Sequence, residues 1–403
     1  MKAVAINGSL RKGGSEGTAK LPMQYRKFGR LDWKASVLGF GCMRLPTVTG
    51  AAKSHPVDEG EAVRMIRHAV EAGVNYFDTA YGYHDGASET VLGNALEGVR
   101  DRVRIATKSP VWLIRQASDF DRILDEQLAR LRTDRIDFYL FHALNRTRWR
   151  ETVLRLGLLA KAEAAIRQGR VGHLGFSFHD HHEAFVEILQ GYDRWTFCQI
   201  QYNYMDVENQ AGTAGLELAA SKGLAVVVME PLLGGRLARP PEAIRRKLEA
   251  YPVTRLPAEW ALQWVWDRPE ASVVLSGMSA WEQLETNVAS AGRASAGSFT
   301  AAEHELINAV RKSYRDRAVI PCTGCNYCLP CSNGVDIPVN FQAYNDAFLH
   351  EDLAGGRRKY QYFTEKAARA DACIGCRECE ERCPQKIPIS EWMPKVHALL
   401  GAV

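Results

Sequence analysis

The chain has 403 residues, 46% of them hydrophobic and 24% charged, a mix that suits a globular protein with a sizeable core and room for two domains. Lysine and arginine (51) exceed aspartate and glutamate (47) to leave a net charge of +4, which gives no support for nucleic acid or an anionic membrane as partner. No apolar run reaches the length of a membrane span, and no positive-then-apolar leader opens the sequence.

Residues 1–22 (MKAVAINGSLRKGGSEGTAKLP) join a short apolar strand to a Gly/Ser/Lys loop. This opening resembles the first strand and phosphate loop of flavodoxin-like FMN reductases. A phosphate nest needs a helix and a sheet behind it, whereas a second start-like segment begins here at Met23. The segment is therefore read as a mobile or vestigial extension.

Between residues 23 and 300, short β-rich runs alternate with amphipathic helical stretches. Strands are expected at 37–41, 74–78, 103–107, 136–141, 172–177, 197–201, 224–229 and 272–276. Several are almost continuously apolar, as parallel strands buried on both faces are. Eight strand–helix units in about 270 residues predict a (β/α)8 barrel. The stretch YRKFGRLDWKASV before the first strand reads as a hairpin covering the barrel floor. No GxGxxG follows the first strand, which argues against an open doubly wound sheet. Residues 301–320 form a helical linker, with a helix at about 301–316, into a cysteine-rich domain at 321–403. Within it, the polar and aromatic stretch between Cys331 and Cys373 reads as two helices broken at Gly355-Gly356.

Active sites of such barrels sit at the C-terminal ends of the strands. Asp78 ends the second strand, Lys108 the third and His142 the fourth, with Tyr83 five residues beyond Asp78. Singly, each has an ordinary explanation as a cap, a paired surface group or packing. Together they suggest a proton donor with tuning groups. A buried Lys–Asp pair places a cation near the tyrosine hydroxyl and favours its phenolate, drawing its pKa down from about 10. An imidazole can hydrogen-bond and orient a substrate oxygen.

These segments resemble the aldo-keto reductase superfamily over about residues 23–300. The resemblance implies a tetrad of Asp78, Tyr83, Lys108 and His142, in which Tyr83 protonates the alkoxide formed when NADPH or NADH reduces a carbonyl. It also places Ser177 and Gln199 or Gln201 at the nicotinamide carboxamide. Met229 or Glu230 falls where many members stack an aromatic ring, and Leu232 and Gly234 line the loop near the pyrophosphate. Ser276, Gly277, Met278, Gln283 and Asn287 follow along the adenosine side. Gly277-Met278 and Gln283 depart from the Lys-Ser pair and arginine that grip a 2′-phosphate in many NADPH-using members. Small residues such as Ser177, Gly234, Ser276 and Gly277 are also what turns at strand ends use.

Eight of the ten cysteines follow residue 321. Cys322, Cys325, Cys328 and Cys331 run C-x2-C-x2-C-x2-C, and Cys373, Cys376, Cys379 and Cys383 run C-x2-C-x2-C-x3-C-P. The second pattern is the bacterial ferredoxin run for a [4Fe-4S] cluster, whose last cysteine serves the other cluster in two-cluster proteins. On that logic Cys322, Cys325, Cys328 and Cys383 hold one cluster, and Cys373, Cys376, Cys379 and Cys331 the other. Four-cysteine zinc sites are the rival reading. Cys42 and Cys198 read as buried thiols, although Cys42 also lies where it would face a substrate. Trp112 and Asn145 are read as pocket walls or surface packing, and His179, His181 and His182 as polar capping residues.

The combination resembles the aldo-keto reductase branch that carries a C-terminal, mainly helical, ferredoxin-like domain. It implies a cytoplasmic oxidoreductase for a small-molecule substrate, with clusters that transfer electrons. Hydride moves two electrons and a cluster one, so coupling them calls for a relay or a partner, a ferredoxin or a flavoprotein. Two alternatives stand beside this reading. Ferredoxin could drive reduction of a bound substrate without nicotinamide, or the clusters could be structural or redox-sensing in an interaction protein.

Overall fold

The computed structural model describes residues 21–48 and 56–402. The phosphate-loop-like opening therefore lies outside the described residues as far as residue 20. The first described element is an antiparallel hairpin of β1 (Tyr25–Lys27) and β2 (Lys34–Ser36). Eight parallel strands follow: β3 (Leu38–Gly41), β4 (Tyr76–Asp78), β5 (Arg104–Ser109), β6 (Ile136–Leu144), β7 (Val171–Phe178), β8 (Phe197–Gln201), β9 (Ala225–Met229) and β10 (Ala271–Ser276). They close into a barrel because β10 pairs with β3.

Every second residue of these strands faces the barrel axis. Tyr76, Ala106, Phe138, Leu140, Phe197, Ala225, Val227, Val273 and Leu275 form that inner layer. The hairpin drives Phe28 into it from below, with ring centroids 4.5 Å from Phe138 and 5.7 Å from both Tyr76 and Phe197. Phe28 is fully buried, which contributes roughly 1.5–3 kcal/mol. Its neighbour Gly29 has φ +56°, and a Cβ there would stand 2.4 Å from the backbone nitrogen of Ala225. Only glycine lets the hairpin press this closely on the foot of β9.

The outer faces of the strands pack on amphipathic helices. Glu59–Glu71, for example, buries Ala62, Met65, Ile66, Ala69 and Val70 at helical spacing, and Asp58 caps its start by accepting from the Glu61 N–H at 3.0 Å. Among the described residues, no helix is long and apolar enough to cross a membrane.

Helix Ala301–Arg315 opens with a Thr300–Glu303 capping box. It buries Ile307, Val310 and Tyr314 against Tyr204, Leu237, Ile244 and Trp260 of the barrel. A separate buried cluster then gathers Ile320, Val335, Ile337, Phe341, Met393 and Val396 together with Cys328 and Cys383. Its framework is the helices Ile337–Leu349, Leu353–Arg358 and Ile389–Leu400.

The expected break at Gly355-Gly356 is not where the chain turns. The turn falls at His350–Asp352, and both glycines lie buried inside helix Leu353–Arg358. Their role is close approach: a Cβ on Gly356 would meet the Ala347 Cβ at 2.8 Å and the Ala343 carbonyl oxygen at 3.0 Å. Arg236, in the loop after β9, ties this region to the barrel through Asp352 at 3.2 Å and Asp346 at 3.5 Å.

Candidate active site and cysteine groups

The inward phase of the strands carries the chemistry one step above the apolar layer. Asp78 follows Tyr76 by two residues, Lys108 follows Ala106, His142 follows Leu140, Gln199 follows Phe197 and Met229 follows Val227. Alternation alone therefore points these groups to the axis at the C-terminal end. Asp78 and Lys108 are buried, and Lys108 Nζ donates to Asp78 Oδ1 at 2.7 Å and to the Thr79 carbonyl at 2.8 Å. It also donates to the hydroxyl of half-buried Tyr83 at 3.2 Å. Gln199 Nε2 completes the surroundings of Asp78, reaching Oδ2 at 3.4 Å.

Tyr83 is delivered by a turn, Tyr83–Gly86, in which His84 and Asp85 adopt left-handed φ of 50° and 54°. His84 Nε2 fastens this turn to the adjacent loop after β3 by accepting from the Leu45 N–H at 3.1 Å. The rings of Tyr83 and His142 stand edge to face, 6.0 Å between centroids. Trp112 lies 4.9 Å from His142, with the Arg148 guanidinium over the indole at 5.3 Å. Trp112 thus belongs to the site. Asn145 instead caps the following turn by accepting from the Arg148 N–H at 2.7 Å.

The electrostatics differ from the expectation in one respect. Burial pushes the Tyr83 hydroxyl above its ordinary value of 10, and Lys108 only opposes that rise, while Asp78 adds to it. Burial pulls Lys108 down, but Asp78 and Tyr83 more than offset this and hold it above its ordinary range, so it stays protonated. Burial also raises the Asp78 carboxyl, against Lys108 and Gln199. His142 is held well below 6.5 by burial and then by Lys108, His179 and Arg148, and is neutral near pH 7. The site therefore holds a protonated phenol beside a buried cation and a neutral imidazole.

Gln199 Oε1 and His142 Nδ1 are buried without a hydrogen-bond partner, an open valence of the kind an amide or carbonyl ligand satisfies. Ser177 Oγ accepts from the Ala143 N–H at 2.7 Å. Gln201 is engaged by its own strand end, donating to Asp206 at 2.6 Å and accepting from Gln210 at 3.0 Å. Met229 is half-buried at the top of β9 and Leu232 packs just beyond it. Ser276 faces outward, and its Oγ accepts from Asn287 Nδ2 at 3.0 Å between β10 and the next helix. Met278 is fully buried, and Gln283 turns back to accept from the Ser279 N–H at 2.9 Å. Gly234 and Gly277 lie on either side of Arg44, whose side chain reaches across the rim from the turn after β3. Arg44 escaped the sequence reading, although a charged residue just past a barrel strand is the signal for it.

Cys42 and Cys198 are buried, and burial raises both thiols far above their ordinary value. Neither His181 nor His182 caps with its side chain. His181 stands at the start of helix His182–Gln190 without a side-chain bond to it, and His182 Nδ1 meets the Ala211 carbonyl at 3.0 Å.

Cys322, Cys325, Cys328 and Cys383 line one small apolar pocket with Ile337, Phe341 and Ile389. The last cysteine of the second run thus stands with the first three of the first run. Burial and neighbouring cysteines raise Cys322, push Cys328 up to about 11, and push Cys379 up to about 11 beside Cys373 and Cys376. Cys331 accepts from the Asn333 N–H at 3.4 Å, and Asn333 Nδ2 donates to the Ala372 carbonyl next to Cys373. Among the described residues, no three His, Cys, Asp or Glu side chains converge tightly enough to hold a metal ion. The sulfur donors of the two runs are nonetheless of the type that iron–sulfur clusters take.

Comparison with known proteins agrees with the architecture. The aldo/keto reductase family model matches residues 37–312, and a 4Fe-4S dicluster domain model matches residues 321–387. L-galactose dehydrogenase of Arabidopsis thaliana is 28% identical over 294 residues, spanning 66% of this chain and 88% of its own. An uncharacterized oxidoreductase of Schizosaccharomyces pombe is 27% identical over 274 residues, 65% of this chain and 83% of its own. Among solved structures, the holo form of an aldo-keto reductase from Bacillus halodurans superposes with a TM-score of 0.59 at 27% identity, covering 72% of this chain and 96% of that one. The protein is an oxidoreductase, and its chain belongs to the aldo/keto reductase family.

Proposed function

We propose that the barrel interconverts a carbonyl and an alcohol on a small organic substrate with NADPH or NADH, and that two [4Fe-4S] clusters in the C-terminal region transfer electrons. One observation carries the first part: the Tyr83 hydroxyl lies 3.2 Å from Lys108 Nζ and beside the ring of His142. Ser177, Gln199 and the rim at Gly234 and Gly277 would hold the dinucleotide; the unpartnered Gln199 Oε1 fits its carboxamide. When bound, a nicotinamide supplies hydride to the carbonyl carbon.

The chain's own groups do the rest. Neutral His142 donates a hydrogen bond to the carbonyl oxygen and fixes its direction. Tyr83, protonated throughout the neutral range, gives its proton to that oxygen as negative charge develops. Lys108 stabilises the tyrosinate left behind, and Asp78 keeps Lys108 in place. Trp112 shields one side of the site from water.

Cys322, Cys325, Cys328 and Cys383 would hold one cluster and Cys373, Cys376, Cys379 and Cys331 the other. Helix Ile337–Leu349 supports a role beyond ballast: Ile337 and Phe341 line the first cysteine pocket, and Asp346 near its other end pairs with Arg236 of the loop after β9.

The test is oxidation of NADPH and NADH by the anaerobically reconstituted protein over a panel of aldehydes and ketones. Turnover that Tyr83→Phe abolishes while nucleotide binding persists is the expected result. Substrate reduction that proceeds equally well in Tyr83→Phe, or that needs reduced ferredoxin and no nicotinamide, would overturn the reading.

A further inference from the structure

Three loops of the barrel rim meet at Arg44. The residue ends the short turn Cys42–Arg44 after β3, and β3 neighbours β10 in the closed barrel. Its side chain crosses Gly277, just beyond β10: a Cβ built on Gly277 would stand 3.1 to 3.3 Å from the Arg44 Cβ, Cγ and Cδ. The tip then reaches the loop after β9, where a Cβ on Gly234 would lie 3.5 Å from Nη2. Gly277 therefore leaves room for the Arg44 stem, and the guanidinium tip stands in contact distance of the neighbouring loop.

That guanidinium has no carboxylate or carbonyl partner among the described residues, although it is half-buried. Other arginines in comparable settings are engaged: Arg26 with Arg268 and Ala271 carbonyls, Arg100 with Asp137, Arg148 with the Ala143 carbonyl and Arg236 with Asp352. A planar fork of five donors left without a protein acceptor between two rim loops is suited to a bidentate anion, above all a phosphate. The adjoining loop has the backbone of a ligand loop. Glu230, Leu233, Gly234 and Gly235 take φ of 54°, 49°, 68° and 97°, and positions of this kind cluster at ligand clamps.

We infer that Arg44 is a phosphate clamp, binding a dinucleotide phosphate between the loops that follow β9 and β10. The assignment rests on the dinucleotide reading above and deepens it. Nearby, the buried Met278 and Gln283, which is turned back on Ser279, carry no charge to offer a phosphate. The phosphate has two possible sources, the pyrophosphate common to both nucleotides and the 2′-phosphate of NADPH alone.

The experiment titrates NADH and NADPH separately into the anaerobic holoprotein, wild type and Arg44→Met, with nucleotide fluorescence as readout. The substitution is expected to weaken binding roughly tenfold to a hundredfold, the range for a hydrogen bond to a charged group. Equal loss for both nucleotides assigns the pyrophosphate, and loss confined to NADPH assigns the 2′-phosphate. Unchanged affinity for both, in a variant that melts like wild type, overturns the clamp and leaves the dinucleotide reading standing. If wild type binds neither nucleotide, the dinucleotide reading fails and the clamp with it. Arg44→Lys keeps the charge and loses the fork, so it tests the same contact through a smaller loss if Arg44→Met does not fold.

Discussion

Arg236 reaches Asp352 across 3.2 Å, from the loop after β9 to the cap of helix Leu353–Arg358. The same carboxylate accepts from the Gly355 N–H at 2.8 Å, and Arg236 also approaches Asp346, which holds Lys359 at 2.9 Å. One ion-pair group therefore joins the barrel rim to the cysteine-bearing region.

Asp352→Asn is expected to destabilise the holoprotein by about 1.5–3 kcal/mol at pH 7, the range for hydrogen bonds to charged groups. Burial pushes this carboxyl up, but the Gly355 N–H and Arg236 outweigh it and hold it below the usual carboxylate range. A depressed carboxylate stabilises the fold above its unfolded pKa of about 4 and loses that contribution as pH falls through the folded value. The gap between variant and wild type should therefore close on acidification below pH 4, as read by thermal melts across pH.

Carbonyl reduction should be flat from neutral pH upward. The step needs a protonated Tyr83, whose pKa is raised above 10, so the alkaline limb falls beyond that value. His142 is already neutral at pH 7 because its pKa is lowered, which puts any acid limb below pH 6.5. Tyr83→Phe should cost on the order of 10²- to 10⁴-fold in kcat, the usual contribution of a positioned general acid. A pH–rate profile with a limb between pH 7 and 9 that vanishes in Tyr83→Phe would contradict this picture.

Lys108→Met removes the cation and strands Asp78 in a buried site. Breaking a buried pair in this way costs about 3–5 kcal/mol. The double variant Asp78→Asn/Lys108→Met should recover much of that stability without recovering turnover. Denaturant unfolding of the three variants, beside their kcat, separates the two effects.

Cys383→Ser tests the crossed ligand set. Cys383 shares its pocket with Cys322, Cys325 and Cys328, so its loss should disturb the cluster of the first run and spare that of Cys373, Cys376 and Cys379. Iron analysis and EPR are expected to show about half of the wild-type iron with one cluster signal intact, given four irons per [4Fe-4S] cluster. A signal lost from the second run instead would refute the exchange.

The barrel was legible because its strands are buried on both faces and so read as apolar runs such as AVVVM in β9 and ASVVLS in β10. Asp78, Lys108 and His142 stood out because they are polar at the ends of such runs, on the inward phase. The sign of the Tyr83 shift was not legible. It depends on how much burial outweighs one cation, which local sequence does not express. Gly355-Gly356 misled for a related reason: glycine marks both chain breaks and close helix contacts, and only the position of Ala343 and Ala347 decides between them. Arg44 and Arg236 look like ordinary surface arginines until the fold brings distant loops beside them.

The floor hairpin has a consequence for how the site is reached. Phe28 and the aromatic layer of Tyr76, Phe138 and Phe197 stopper the lower end of the barrel. Traffic to Tyr83 must then pass the upper mouth, where Arg236 already moors the cysteine-bearing region to one side. On the proposed function, nucleotide, substrate and product would all use that mouth, so a bound nucleotide and an incoming substrate would contend for the same approach to Tyr83.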